Sequence, residues 1–389
     1  MNAILDPSLI KNFREKANED RLFQQLYKNI DGKNKWNIIC SAMDWIDTIV
    51  EGIESIQLKR TGLGFNAIQS LNLMQYVISL DLLVQSIIKL YDVIDNGTQY
   101  KLYTDQSVFN KGINDDLYFK QIRAVFGTHP IDLHSADGAK KTKGEKFYAS
   151  WSATGSLENN DFHVMIYSDD PAKDEREQIE FGISINEINE YAEKRYQLLT
   201  DLSIKVDQIL QTHIATCRAI LIPSTSNSID QLDILLEENK KRFSETYGHV
   251  STIRYIQRML KTELSKEADV DPNLIKDYKA FLTSLIPDIK KSLQIMDIRY
   301  FKWNYTHVGK EIERIQIFMH DFRNDHGLVG QTLYEELIKK DVLPSYLLTN
   351  FKKDEMQLVF DATLHREFSR LNKRVKYEDL IELEPQGQE

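Results

Sequence analysis

From Phe65 to Ile94 apolar side chains cover most of the circumference of a helix, with Asn72, Gln75, Asp81, Gln85 and Lys89 spread among them. A helix that is apolar nearly all round has to be surrounded by other helices. The polar residues spaced along it fit a buried core helix better than a membrane span. This one stretch therefore predicts a bundle. Its neighbours have the complementary pattern. Over 6–30, Ile10, Phe13, Ala17, Leu22, Leu26 and Ile30 recur at helical spacing. From Lys35 to about Ile56, Trp36, Ile39, Met43, Ile46, Val50 and Ile53 form one face. Thr61 to Gly64 reads as a turn, and Asn96-Gly97 ends the central helix. Residues 97–113 read as loop. A shorter helix starts near Asn114, with Asp115 and Asp116 in its first turn, where carboxylates suit the helix dipole.

Past Pro130 the periodicity changes. The stretches "KFYASWSA", "DFHVMIYSDD" and "EQIEFGISI" alternate apolar with polar and are rich in aromatic and β-branched residues, which predicts three short strands. From Asn186 the helical period returns. Residues 188–221 read as one long amphipathic helix, and Pro223 to Ser228 as a break suited to a domain boundary. Further helices are expected near 228–243, 250–265, 272–297, 303–323, 329–340 and 355–373. Only 16 glycines and 8 prolines punctuate the 389 residues, which favours long helices. The expected fold is mainly α: a helical bundle over 1–150, a small three-stranded β insertion over 146–185, and a second helical domain over 186–389.

The formal net charge of −10 argues against a surface uniformly suited to nucleic acid and leaves room for a local basic groove. The two cysteines, Cys40 and Cys217, lie in apolar helical patterns and read as buried thiols of a reducing compartment. The N-terminus has no basic stretch followed by an apolar one, so no secretory signal is expected and the cytoplasm is the predicted location. There is no P-loop, GxGxxG, GxSxG or HExxH pattern, so no signature of an ATPase, dinucleotide enzyme, α/β-hydrolase or zincin.

The segment "DDLYFKQIRAVFGTHPIDLH" carries the candidate chemistry. Gly127 reads as a helix terminator, and Pro130 biases His129 away from helical geometry. Arg123 then sits in the last turns of a helix, with His129 just past its end. A break after Gly127 lets the imidazole turn back toward the arginine face. Histidine titrates near neutrality and serves as a general acid or base. Arginine holds a phosphate through bidentate hydrogen bonds and permanent charge. Together they form a minimal set for phosphodiester cleavage without a metal. Lys140, Lys141, Lys143 and Lys146 follow, with Phe147, Tyr148 and Trp151 behind them. Basic residues beside exposed aromatics can hold a single strand, although a solvated loop leading into a strand with core aromatics is the plainer reading. His134 could assist, and Asp116 could orient the guanidinium or simply cap its helix.

An arginine, five residues, then a histidine at a helix end in a bundle resembles the RxxxxxH ribonuclease motif of the HEPN superfamily. The resemblance spans roughly residues 1–150. It implies a helical-bundle domain and a metal-independent endoribonuclease or toxin of a prokaryotic defence or toxin–antitoxin system, with no cofactor. It also implies a homodimer that pairs two motifs, and an antitoxin or other partner protein. Arg123 and His129 are the residues that match. Position 124 is Ala, where a polar residue often follows the family's arginine. That departure keeps open a catalytically inactive helical interaction or sensor subunit of a defence assembly. His320, Asp321, Arg323, Asn324, Asp325 and His326, with His307 upstream, form a second dense cluster. It could belong to a metal-dependent phosphohydrolase, but its histidines are six apart rather than the four that align two ligands on one helix face. His213, on an apolar helical face, reads as a core histidine. The basic stretch 364–376 reads as a solvated face or a contact for RNA, an acidic partner or the acidic tail that follows.

Overall fold

The computed structural model describes residues 5–19, 21–59, 66–95, 97, 99–133, 145–151, 160–170, 179–265, 270–301 and 353–371. The protein is mainly α-helical with one small antiparallel sheet. It divides into two compact units, Met1–Thr212 and His213–Glu389.

In the first unit, α1 (Pro7–Glu19), α2 (Arg21–Tyr27), α3 (Trp36–Gly52) and α4 (Ala67–Ile94) precede α5 (Asp115–Arg123). A π-helical turn, Ala124–Thr128, continues α5. Three strands follow, β1 (Phe147–Trp151), β2 (Phe162–Ser168) and β3 (Ile179–Ile183), then α6 (Ile185–Tyr196) and α7 (Leu198–Ala219), whose last residues, from His213, belong to the second unit. The reason α4 is central is its sequence. Leu73, Tyr76, Val77, Leu80, Leu83 and Ile87 are buried on faces that meet α3, α5, α6 and the π turn. Asn66 caps it, its side chain accepting from the Gln69 amide at 3.0 Å. Each fully buried side chain of this size stabilises the fold by about 1.5–3 kcal/mol relative to exposure. α6 and α7, read from the pattern as one helix, are separated at Gln197, whose backbone stays in the α region (φ −58°, ψ −23°).

The sheet has the order β1-β2-β3. Its register pairs Phe147 with Ser168, Tyr148 with Tyr167 and Trp151 with Val164, and in turn Val164 with Phe181. Residues directly opposite share a face. One face is therefore Phe147, Phe162, Val164, Ile166, Phe181 and Ile183, all buried. It covers Phe126 of the π turn, whose ring lies 5.7 Å from Trp151 and 5.9 Å from Phe181. The insertion thus supports the end of α5. The half-buried rings and side chains of Tyr148 and Met165 and the exposed Ser150 and Tyr167 belong to the opposite face.

The second unit contains α8 (Ser228–Arg242), α9 (Val250–Lys261), α10 (Pro272–Ser284), α11 (Ile286–Gln294) and α12 (Lys353–Leu371). The pattern over 272–297 predicts one helix; Pro287 falls in the first turn of α11, where its missing amide is tolerated, and divides it in two. The expected helices at 303–323 and 329–340 lie outside the described residues. Buried Arg242 donates to the carbonyl oxygens of Cys217 and, at 2.7 Å, Ile220, closing the C-terminus of α7, and its Nε donates to Glu238 at 3.1 Å. His213 Nε2 lies 2.7 Å from the Arg242 carbonyl oxygen and acts as its donor; it is satisfied, as its pattern predicts, but half-buried rather than in the core. Both cysteines are free and half-buried, and burial raises both thiols above their ordinary range.

His249 is buried, 2.7 Å from the Ser292 hydroxyl, which itself donates to the Asp297 carbonyl oxygen at 2.6 Å. The imidazole is therefore the donor of that pair. Burial lowers its pKa to about 4. An unfolded histidine takes a proton near pH 6.5, so acid favours the unfolded state. The stability that neutral His249 contributes is complete above pH 6.5 and is lost as pH falls toward 4. The loss is on the order of 3 kcal/mol. Urea denaturation of His249→Gln should show a shallower loss between pH 7 and pH 4 than the natural sequence; equal slopes would mean that this histidine is not the titrating group.

Candidate active site

The site is built on α5. Asn114 caps it, its side chain accepting from the Leu117 amide at 2.8 Å. Asp115 is fully buried and accepts from the amides of Val108 (3.2 Å) and Phe109 (3.1 Å), which ties the preceding loop to the helix. Asp116 accepts from Arg195 Nε at 2.8 Å and the Tyr191 hydroxyl at 2.9 Å, both on α6. It therefore fastens α5 to α6 and does not orient Arg123, one of the two roles its position allowed. Phe119 stacks on Tyr191 at 4.4 Å in the same junction.

Arg123 is the last residue of α5. Its Nη1 lies 2.8 Å from Asp81 Oδ2 of α4. The arginine side chain is 32% exposed and the aspartate 14%. Arg123 Nε is sealed from solvent with no hydrogen-bond partner, so the exposed part of the side chain lies elsewhere along it. Asp81 is the residue that sequence reasoning passed over. Its signal was available: it is the one carboxylate between Phe65 and Tyr91, in a helix otherwise committed to the core.

Between Arg123 and His129 the backbone runs through the π turn, closed by the His129 amide donating to the Ala124 carbonyl oxygen at 3.0 Å. Gly127 does not terminate the helix in a left-handed conformation, as its position suggested. Its φ is not positive, and the chain leaves the helix at His129 (φ −137°, ψ 38°). What Gly127 provides is closeness: a Cβ there would stand 3.3 Å from Ile78 Cγ1 of α4. π turns inside helices are uncommon and recur at functional sites. His129 is exposed, and among the described residues its ring has no hydrogen-bond partner. No hydrogen bond joins it to Arg123; the two side chains stand at opposite ends of one turn.

Beyond His129 the chain is laid along β1. The Ala149 amide donates to the Pro130 carbonyl oxygen at 2.6 Å, and Leu133 and Phe147 exchange both backbone bonds, at 2.9 and 3.2 Å. Lys146, at the start of β1, reaches Asp132 at 3.0 Å, and that contact holds its ammonium above its ordinary pKa. Of the predicted basic cluster, Lys146 is thus beside the segment that follows His129. Lys140, Lys141, Lys143 and His134 lie outside the described residues, as do His307 and His320 to His326. Among the described residues no group of three or more histidine, cysteine or carboxylate side chains could hold a metal, and no helix is long and apolar enough to cross a membrane. Comparison with protein-family models, with curated proteins and with solved structures found no match.

Proposed function

We propose that this chain is a metal-independent endoribonuclease of a prokaryotic defence or toxin–antitoxin system, with Arg123 and His129 as its catalytic residues. One observation carries the reading. A guanidinium anchored through one nitrogen to Asp81 and an exposed imidazole without a partner among the described residues stand at the two ends of a single π turn. Anchoring matters because a preorganised cation stabilises developing charge without having to rearrange. The free imidazole matters because a general base needs an unoccupied nitrogen.

In this reading Arg123 binds the scissile phosphate and stabilises the extra negative charge of the pentavalent state. The ribose 2′-hydroxyl loses its proton as its oxygen attacks phosphorus. The P–O5′ bond breaks and the departing oxygen takes a proton. His129 performs one of the two proton transfers. The products are a 2′,3′-cyclic phosphate and a 5′-hydroxyl. No metal or cofactor is required. A homodimer, a regulatory partner such as an antitoxin, and a cytoplasmic setting belong to the same proposal.

RNA cleavage by the full chain should persist in EDTA and fall by about 10²–10³-fold in Arg123→Ala, the scale of removing one transition-state donor. Cleavage abolished by EDTA would defeat the proposal. The Asp81–Arg123 pair and Ala124 favour a second reading, a catalytically silent helical interaction or sensor subunit. An arginine neutralised by an aspartate is then a tie between α5 and α4 and nothing more. Absence of cleavage on every RNA tried, with a stable complex formed with another protein, would select it.

A further inference from the structure

In the second unit, the loop that joins α7 to α8 turns two aliphatic side chains out to solvent. Ile220 is 58% exposed and Leu221 80%, while Ile222 beside them is buried and anchors the segment. Tyr300, just past α11, is 42% exposed. Single apolar residues on a surface are ordinary. Two in succession, on a loop held in one conformation, are not.

The loop is held by side chains. Arg242 of α8 donates to the carbonyl oxygens of Cys217 and Ile220. Gln294 of α11 donates to those of Arg218 and Ile220, at 2.9 and 3.2 Å, and its Oε1 accepts from the Ile222 amide at 2.9 Å. Gln231 of α8 donates to the Pro223 carbonyl oxygen at 3.1 Å, and Pro223 has no amide to satisfy. A loop in water can leave such groups to the solvent. A loop that enters hydrocarbon has to satisfy them internally. Polar backbone turned inward and aliphatic side chains turned outward is the arrangement an apolar solvent requires.

Cations surround the pair. Arg218, Lys291 and Arg299 are exposed and Lys290 is half-buried. Arg218 Nε donates to the Ile295 carbonyl oxygen at 2.9 Å, Lys290 reaches the Ser224 hydroxyl, and Lys291 Nζ lies 4.6 Å from the centre of the Tyr300 ring. The carboxylates of the same elements are Asp297, engaged by Arg299 Nε at 3.3 Å, Asp288 one turn before Lys291, and Asp230 in the first turn of α8. Cations are thus in slight excess here, on a chain whose net charge is −10. An anionic bilayer repels such a chain as a whole and is tolerated at this face. A second copy fits poorly, because an isologous contact would set the same cations against each other. An acidic protein would meet the charge but gives no reason for the internally paired backbone.

We propose that this loop is a peripheral attachment site for an anionic lipid bilayer. Ile220 and Leu221 enter the boundary between headgroups and acyl chains, Tyr300 lies at the headgroup level, and Arg218, Lys291 and Arg299 face lipid phosphates. Attachment of this kind needs no membrane-spanning helix, and two inserted side chains make it weak and reversible. It is independent of the ribonuclease reading.

The test floats the full chain with vesicles of phosphatidylglycerol and phosphatidylethanolamine, and separately with vesicles of phosphatidylcholine. The chain should partition to the first and not to the second. Ile220→Ser with Leu221→Ser should lower partitioning by about 100-fold, and Lys291→Gln with Arg299→Gln by about tenfold. Leu221→Trp should partition as the natural sequence does, and its added fluorescence should move to shorter wavelength on binding. That variant reads the loop directly, so the proposal stays testable if circular dichroism shows the serine variant unfolded. Equal partitioning by a folded serine variant, or a tryptophan emission that does not move, overturns the proposal. A chain that ignores both kinds of vesicle also overturns it and leaves an acidic protein as the occupant. Equal partitioning to phosphatidylcholine overturns the choice of anionic lipid.

Discussion

Replacing Arg195 with methionine is expected to destabilise the first unit by about 3–5 kcal/mol, the usual consequence of removing one partner of a buried ion pair. Arg195 is fully buried. Its Nε lies 2.8 Å from Asp116, its Nη1 3.8 Å from Asp105, and its guanidinium stacks over the Tyr191 ring at 3.9 Å. Methionine fills a similar volume and leaves both carboxylates without their cation, so the cost is electrostatic rather than a cavity. Two consequences separate this account from simple loss of packing. Arg195→Met combined with Asp116→Leu should recover part of the loss, because the pair is then removed together. And since Asp116 fastens α5 to α6, displaced α5 should carry Arg123 away from Asp81, so RNA cleavage should fall even where the variant remains folded. Urea denaturation and the double-mutant cycle check the first; cleavage under native conditions checks the second. A loss below about 1 kcal/mol, the scale of an exposed pair, would contradict the buried-pair account.

His129→Ala has the opposite profile. Its ring is exposed, and among the described residues it has no hydrogen-bond partner. Stability should change by no more than about 0.5 kcal/mol, as for surface substitutions generally. Cleavage should fall by about 10²–10⁴-fold, the contribution of a positioned acid or base. Separation of the two effects is the point. Arg123 cannot offer it, because its ion pair with Asp81 gives it a structural share as well. Asp81→Asn sits between them: under the proposed activity Asp81 acts only through its ion pair with Arg123, so its loss should lower the cleavage rate more than substrate affinity.

Local pattern carried much of this fold. The central helix α4 was legible because its apolar circumference has one structural outcome, and the three strands because alternation of period two has another. Asn114 and the loop before it followed from capping and turn chemistry. Relationships across long stretches of chain were not legible. Arg123 and Asp81 are 42 residues apart, and Arg195 and Asp116 are 79 apart. A charged residue on an amphipathic helix reads as solvent-facing, yet Arg195 is interior because two aspartates meet it there. The π turn was equally invisible, since Gly127 before His129-Pro130 fits a left-handed terminator as well as a close approach to Ile78. Which aromatics face outward on the sheet followed from one residue of register, and the composition of "KFYASW" contains no information about that.

The most direct measurement is analysis of the ends formed on RNA by the full chain in EDTA, with the natural sequence and His129→Ala in parallel. The account predicts 2′,3′-cyclic phosphate and 5′-hydroxyl ends from the former, virtually none from the latter, and no scission where the attacking 2′-hydroxyl is replaced by hydrogen. Equal yields of those ends from both proteins would contradict it.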